Sequence, residues 1–222
     1  MCRQKGSKGF CSELGAEPEL WRRQAPLPKP SWVEESLPIF IQSFELVMAG
    51  RVENAQYLVK QSPDERLRQW YDVHAQNSGT WRLKHFKVAT PAKSLPLDPI
   101  AKFGIYEGPP FSRDDYRCRY CNSKVIPEKV FRRLQTLIGE DALPLKGTNR
   151  GRSGYYLMFC ATLDHVFPHS LGGRTAESNL VTCCWSCNYG KAEYTLDQLG
   201  LVDPFSREPT GDKSWTGLSA FL

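Results

Sequence analysis

Two short cysteine pairs constrain this 222-residue chain more than any other feature. Cys118-x-x-Cys121 and Cys184-x-x-Cys187 are separated by sixty-two residues. A C-x-x-C turn can bend two sulfurs onto one ion, and two such turns complete a tetrahedral shell of four thiolates. A fold built this way must bring the region before residue 122 against the region after residue 183. A closed shell leaves no open coordination position, so the expected Zn²⁺ is structural and its binding contributes directly to folding. The alternative of disulfides depends on the compartment. The first residues, Met1 to Lys8, lack the apolar stretch of a secretory signal, and no apolar run approaches the length of about 18 residues needed to span a bilayer. A cytoplasmic protein without a membrane segment is expected, and in a reducing compartment paired C-x-x-C spacings read as metal ligands. Cys183 is less well spaced to Cys187 than Cys184 is. Cys160 alternates within an apolar run and reads as core, and Cys2 and Cys11 read as ordinary thiols.

The order of elements implies an α+β chain. Residues 1–30 are polar and proline-broken and read as an N-terminal arm. Residues 31–90 form a mainly helical module. From Ser31 to Ala49, Leu37, Phe40, Ile41, Phe44, Val47 and Met48 share one helical face, with Gly50 as a stop. A second helix holds Ala55, Leu58 and Val59. A third begins at Ser62-Pro63-Asp64-Glu65, with Ser62 as its cap, and carries Leu67, Trp70, Tyr71 and His74. His74 and His85 read as structural histidines. Residues 91–115, rich in proline, form a linker. Residues 116–200 hold the chemistry, and 201–222 form a tail. Within 116–200 the pattern predicts a helix over Pro127–Ile138, a basic loop over Lys146–Gly154, a β-type run over Tyr155–Leu163, a turn at Gly172-Gly173, a return strand over Leu180–Thr182 and a closing helix toward Leu199.

Net charge is only +5, but it is unevenly placed. Between Arg117 and Arg152 there are nine basic residues against three acidic ones, and the rest of the chain is close to neutral. A basic stretch of this kind supplies phosphate affinity without sequence information, and its bland alternative is a solvated face. Arg132, Arg133, Lys146, Arg150 and Arg152 are the candidate contacts.

Between the cysteine pairs lies a second constellation. Asp164-His165 ends a strand, Asn179 follows fourteen positions later, and Asn188 directly follows Cys187. An Asp and an Asn brought together by a hairpin and a helix could hold a hard divalent ion such as Mg²⁺, and a histidine beside them could deprotonate water. A zinc-ribbon hairpin with surface polar residues is the plainer alternative. The segments CRYC and LDHVFPHSLGGRTAESNLVTCCWSCNYGK resemble the HNH branch of the His-Me finger (ββα-metal) nucleases, in the form with two flanking zinc knuckles. The resemblance runs from Cys118 to about Lys191, roughly a third of the chain.

The resemblance implies a zinc-stapled ββα-metal core behind the helical module. It implies that Asp164 and Asn188 ligate a catalytic Mg²⁺ or Mn²⁺, that His165 is the general base, and that Asn179 orients the histidine loop. Lys191 would contact phosphate, and His169 would contact phosphate or have no role. The forty-two residues between Cys121 and Asp164 are long for this family, and their charge makes them a candidate DNA-contacting insertion. The function expected is therefore a metal-dependent endonuclease acting on DNA, with RNA left open, in restriction or anti-phage defence. Two alternatives stand beside it: a partner-dependent nuclease subunit docked through the helical module, and a zinc ribbon that binds nucleic acid without cutting. A homodimer would suit symmetric cutting of a duplex.

Overall fold

The computed structural model describes residues 25–27, 29–75, 87–94 and 108–222. Cys2, Cys11, His85, most of the arm and much of the linker lie outside the described residues. Among the described residues the fold is mixed, with helices accompanying one two-stranded antiparallel sheet. Three helices open it, α1 (Ser31–Met48), α2 (Val52–Gln61) and α3 (Asp64–His74). Leu37, Phe40 and Phe44 of α1 are buried, as their spacing requires, whereas Met48 is exposed. Gly50 ends α1 with φ of +73°, a left-handed conformation open to glycine. His74 is buried with its ring stacked on Trp70, and its Nδ1 lies 2.8 Å from the Trp70 carbonyl.

Ser62 does not cap α3. Its hydroxyl donates to the Val59 carbonyl at 2.6 Å and closes α2 instead. Asp64, the first residue of α3, is turned outward to another helix. Its Oδ1 accepts the Ser153 hydroxyl at 2.6 Å and the Tyr155 amide at 3.1 Å. Those donors belong to the start of a helix over Gly154–Phe159, where the sequence reading expects a strand. The reason is burial on every side. Tyr155 to Phe159 are all buried, so the run carries no period that separates helix from strand. A Cβ on Gly154 would lie 2.2 Å from the Asp64 carbonyl oxygen, so a residue without a side chain permits this helix to cross α3.

The remaining elements follow in order. α4 is Gly108–Arg113, α5 is Glu128–Ile138, α6 is the Gly154–Phe159 helix, β1 is Ala161–His165, β2 is Leu180–Cys184, α7 is Trp185–Lys191 and α8 is Leu196–Leu199. The strands pair with Ala161 opposite Cys184 and His165 opposite Leu180, and α7 starts without a break after β2.

Among the described residues, two buried clusters hold the fold together. The smaller gathers Leu163, Leu180, Val181 and four cysteines around the hairpin. The larger joins α1–α3 to α5 and α6, with Phe40 stacked on Tyr155 at 4.4 Å and on Phe131 at 5.3 Å. The opening helices thus close their core with side chains from the long insertion. That insertion is therefore less a surface elaboration than its charge suggests: Val130, Phe131, Leu134 and Ile138 of α5 are buried. The final segment is also bound in. Trp215 Nε1 lies 3.2 Å from the carbonyls of Tyr116 and Val125, and Phe221 meets Phe44 edge-on at 4.7 Å. Part of the linker crosses the loop between the strands, where the Ser94 amide donates to the Leu171 carbonyl at 3.1 Å.

Candidate functional site

The four cysteines of the two C-x-x-C turns converge. Cys118 and Cys121 flank a tight turn in which the Asn122 amide donates to the Cys118 carbonyl at 2.8 Å and Asn122 takes φ of +62°. Cys184 ends β2, and its sulfur accepts the Cys187 amide at 3.4 Å. All four sulfurs lie within 4.8 Å of one another, with Cys121 and Cys184 at 3.7 Å. A tetrahedral four-thiolate site with bonds of about 2.3 Å has edges of about 3.8 Å, so the quartet fits a metal ion of zinc's size. Burial pushes the Cys118 and Cys187 thiols well above their usual range, a penalty that a central cation would reverse. Lys29, which sequence reasoning overlooked, supplies positive charge beside the quartet. Burial disfavours its ammonium form, but the Cys121 and Cys184 sulfurs outweigh this and hold it well above the usual lysine value. Its Nζ donates to Met158 O at 2.9 Å and to Ser123 Oγ at 3.1 Å. Cys160 and Cys183 are buried outside the quartet.

Asp164, His165, Asn179, Asn188 and Lys191 all fall on or beside the hairpin and α7. Asp164 is buried and multiply bonded. Its Oδ2 accepts the Tyr120 hydroxyl at 2.6 Å, and Lys191 Nζ lies 3.2 Å from Oδ2 and 3.3 Å from Oδ1. Burial raises the Asp164 carboxyl, and Lys191 and Tyr120 pull it only part of the way back. Lys191 is fully buried and also donates to the His165 carbonyl at 2.8 Å. This corrects the expectation of a phosphate contact: α7 turns the ammonium inward, onto the Asp164 carboxylate. Tyr120 lies inside the first cysteine turn, so the loop that supplies two sulfurs also holds the Asp164 carboxylate. Its only signal in the sequence was its place between Cys118 and Cys121.

The His165 ring is half-buried, with Nε2 3.0 Å from Thr175 Oγ1. Its pKa is drawn down to about 4, first by burial and then by the charges of His169 and Lys191. The imidazole is therefore neutral at physiological pH and able to accept a proton. His169 sits beside it, ring centres 5.4 Å apart. Asn179 binds the strand-to-strand loop from within. Its Oδ1 accepts the Phe167 amide at 2.8 Å, and its Nδ2 donates to the carbonyls of Arg174 at 2.9 Å and Phe167 at 3.0 Å. Asn188 faces β1, with Nδ2 donating to Thr162 Oγ1 at 3.0 Å and to Leu163 O at 3.2 Å.

The basic candidates spread over the insertion. Arg132 and Arg133 are exposed on α5, where Arg132 pairs with Glu128 at 2.6 Å. Lys146 pairs with Glu140 at 2.6 Å, and Arg150 lies 3.4 Å from Asp72. Arg152 is partly buried, donating to Leu145 O at 3.1 Å and lying over the Trp185 ring at 5.0 Å. Its guanidinium is thus committed to packing as well as charge.

Residues 159–201 match the family model described as HNH endonuclease. The matched segment spans both strands, α7 and α8, and includes Asp164, His165, Asn179, Asn188 and the second cysteine pair. A nuclease is the class of protein to which this segment and its site point. No curated protein and no solved structure matches the chain. Among the described residues, no helix is long and apolar enough to cross a membrane.

Proposed function

We propose that this chain is a metal-dependent HNH endonuclease hydrolysing DNA phosphodiester bonds, with the β1–β2–α7 unit as a ββα-metal core. The observation that carries the reading is the placement of His165 at the end of β1, beside an aspartate and opposite a helix bearing an asparagine. Asp164 and Asn188 would hold the catalytic ion. An ionised carboxylate has about four lone-pair positions, and Tyr120 and Lys191 use three, so one is left. The Asn188 amide nitrogen serves β1, which leaves its oxygen as the ligand. Oxygen donors of this kind suit Mg²⁺ or Mn²⁺, which when bound supplies Lewis-acid stabilisation of the charge on the phosphate.

The chain's own residues do the rest. The His165 imidazole takes the proton of the water that attacks phosphorus as the bond from phosphorus to the departing 3′ oxygen breaks, and Thr175 at Nε2 holds the ring in place. Asn179 keeps the loop after His165 in one conformation by its three side-chain bonds. The cysteine quartet would hold a structural Zn²⁺. We place the enzyme in restriction or anti-phage defence, a reading supported by the basic insertion and opening helices, which share one buried core and could select the target.

Cleavage of supercoiled plasmid with Mg²⁺, with Mn²⁺ and with neither tests the proposal. Metal-dependent nicking or linearisation is expected, and His165→Ala should lower the rate by about 10²–10⁴-fold while leaving DNA affinity unchanged. Discrete fragments would mark a sequence-specific enzyme. An active His165→Ala protein, or no cleavage by wild type with either metal, would overturn the reading.

A further inference from the structure

Next to the candidate metal ligand Asn188, the α7 surface carries a half-exposed aromatic residue. Tyr189 is 45% exposed, a large value for a ring inside a helix that otherwise faces the protein. It is also pre-organised. One side stacks on Trp185 with centres 5.3 Å apart and planes within 25°, and an edge meets Tyr71 of α3 at 6.1 Å. Arg152 lies over Trp185, and Asn149 donates to the Tyr71 hydroxyl at 3.1 Å, so the stack rests on three separate segments of chain. This ring forms one wall of an open groove of about 870 Å³, whose other wall is the loop bearing Asn149, Arg150 and Arg152. The Arg150 side chain is 67% exposed and lies 3.4 Å from Asp72 at the same edge.

We infer that this groove binds an unpaired nucleotide of the strand being cut, with its base stacked on Tyr189 and its phosphate near Arg150. Two features select this occupant. A rigid ring with an open face matches the π-face of a base, and every base has one, so such contact is tolerant of sequence. The exposed Arg150 guanidinium on the opposite wall matches the backbone charge. Inside a duplex both faces of a base are covered by its neighbours, so the groove discriminates in favour of single strands, flaps or bases turned out of the helix. The inference deepens the nuclease reading and rests on it for the word "cut", but binding can be read without cleavage.

The test is fluorescence anisotropy with labelled oligothymidylate and with a blunt duplex of equal length, in buffer free of magnesium, manganese and chelator. Wild type should prefer the single strand. Tyr189→Ala should weaken single-strand binding about tenfold and duplex binding less than about twofold, while Tyr189→Phe should retain both. Tyr189→Leu keeps the packed edge without a π-face and should behave like the alanine variant, which preserves the test if alanine lowers stability. Arg150→Ala should weaken both substrates and flatten the salt dependence. Unchanged single-strand affinity in Tyr189→Ala and Tyr189→Leu, or equal losses on both substrates in those two variants, would overturn the inference. A protein that passes here and fails to cleave plasmid would keep the groove and lose the nuclease; the converse would keep the nuclease alone.

Discussion

At the scale of single residues, the Asp164–Lys191 pair is the most consequential contact at the site. Both side chains are almost wholly buried, and each is the other's counter-charge. A buried pair adds little net stability, because desolvation offsets most of its attraction, yet removing one partner strands the other. Lys191→Met should therefore cost about 3–5 kcal/mol in urea denaturation. Adding Asp164→Asn should recover part of that loss. A single variant as stable as wild type would show that the carboxylate is not held as an anion. The importance of Asp164 was legible from its place before His165. The need for Lys191 and Tyr120 was not, since they lie 27 and 44 positions away and nothing local announces which of many polar residues will meet in the interior.

At the scale of elements, helix amphipathicity gave a sound account of α1, α2 and α3, because each has one buried face and one wet one. It failed at α6, where burial on all sides erases the period. What makes α6 helical is tertiary: Asp64 of α3 accepts the donors at its first turn, and Gly154 lets the two helices touch. Gly154→Ala should accordingly destabilise the protein by about 1–3 kcal/mol, measured by chemical denaturation, even though alanine is the better helix former. A neutral or stabilising effect would show that the crossing has room for a methyl group. Ser62 is the same lesson in reverse. Its motif was complete in sequence, but its hydroxyl found the Val59 carbonyl of the preceding helix.

At the scale of the whole molecule, the cysteine quartet ties the 118–121 turn to the end of β2 and the start of α7, and Tyr120 passes that constraint to Asp164. The cysteine quartet and the candidate catalytic carboxylate are thus mechanically connected. Stripping the protein with a strong chelator should release about one zinc per chain, lower the melting temperature and abolish cleavage. Activity should return with Zn²⁺ plus Mg²⁺ and not with Mg²⁺ alone. Cys118→Ser should lose zinc and stability together; a variant with normal melting and zinc content would remove the structural-metal reading.

What the amino-acid order determined by itself was the chemistry carried at short range: the cysteine pairs, the Asp-His step, Asn188 after the last cysteine, and the helices with a clear apolar face. These are legible because spacing of a few residues dictates which side chains share a turn or a face. The tertiary structure alone decided that the charged insertion closes the core of the opening helices, that Lys191 points inward, and that Tyr71, Trp185 and Tyr189 assemble with Arg152 beside the candidate site. Each of these outcomes depends on which distant surfaces meet. That is settled by burying apolar area and matching buried charges across the whole chain at once, so no short window of sequence contains it.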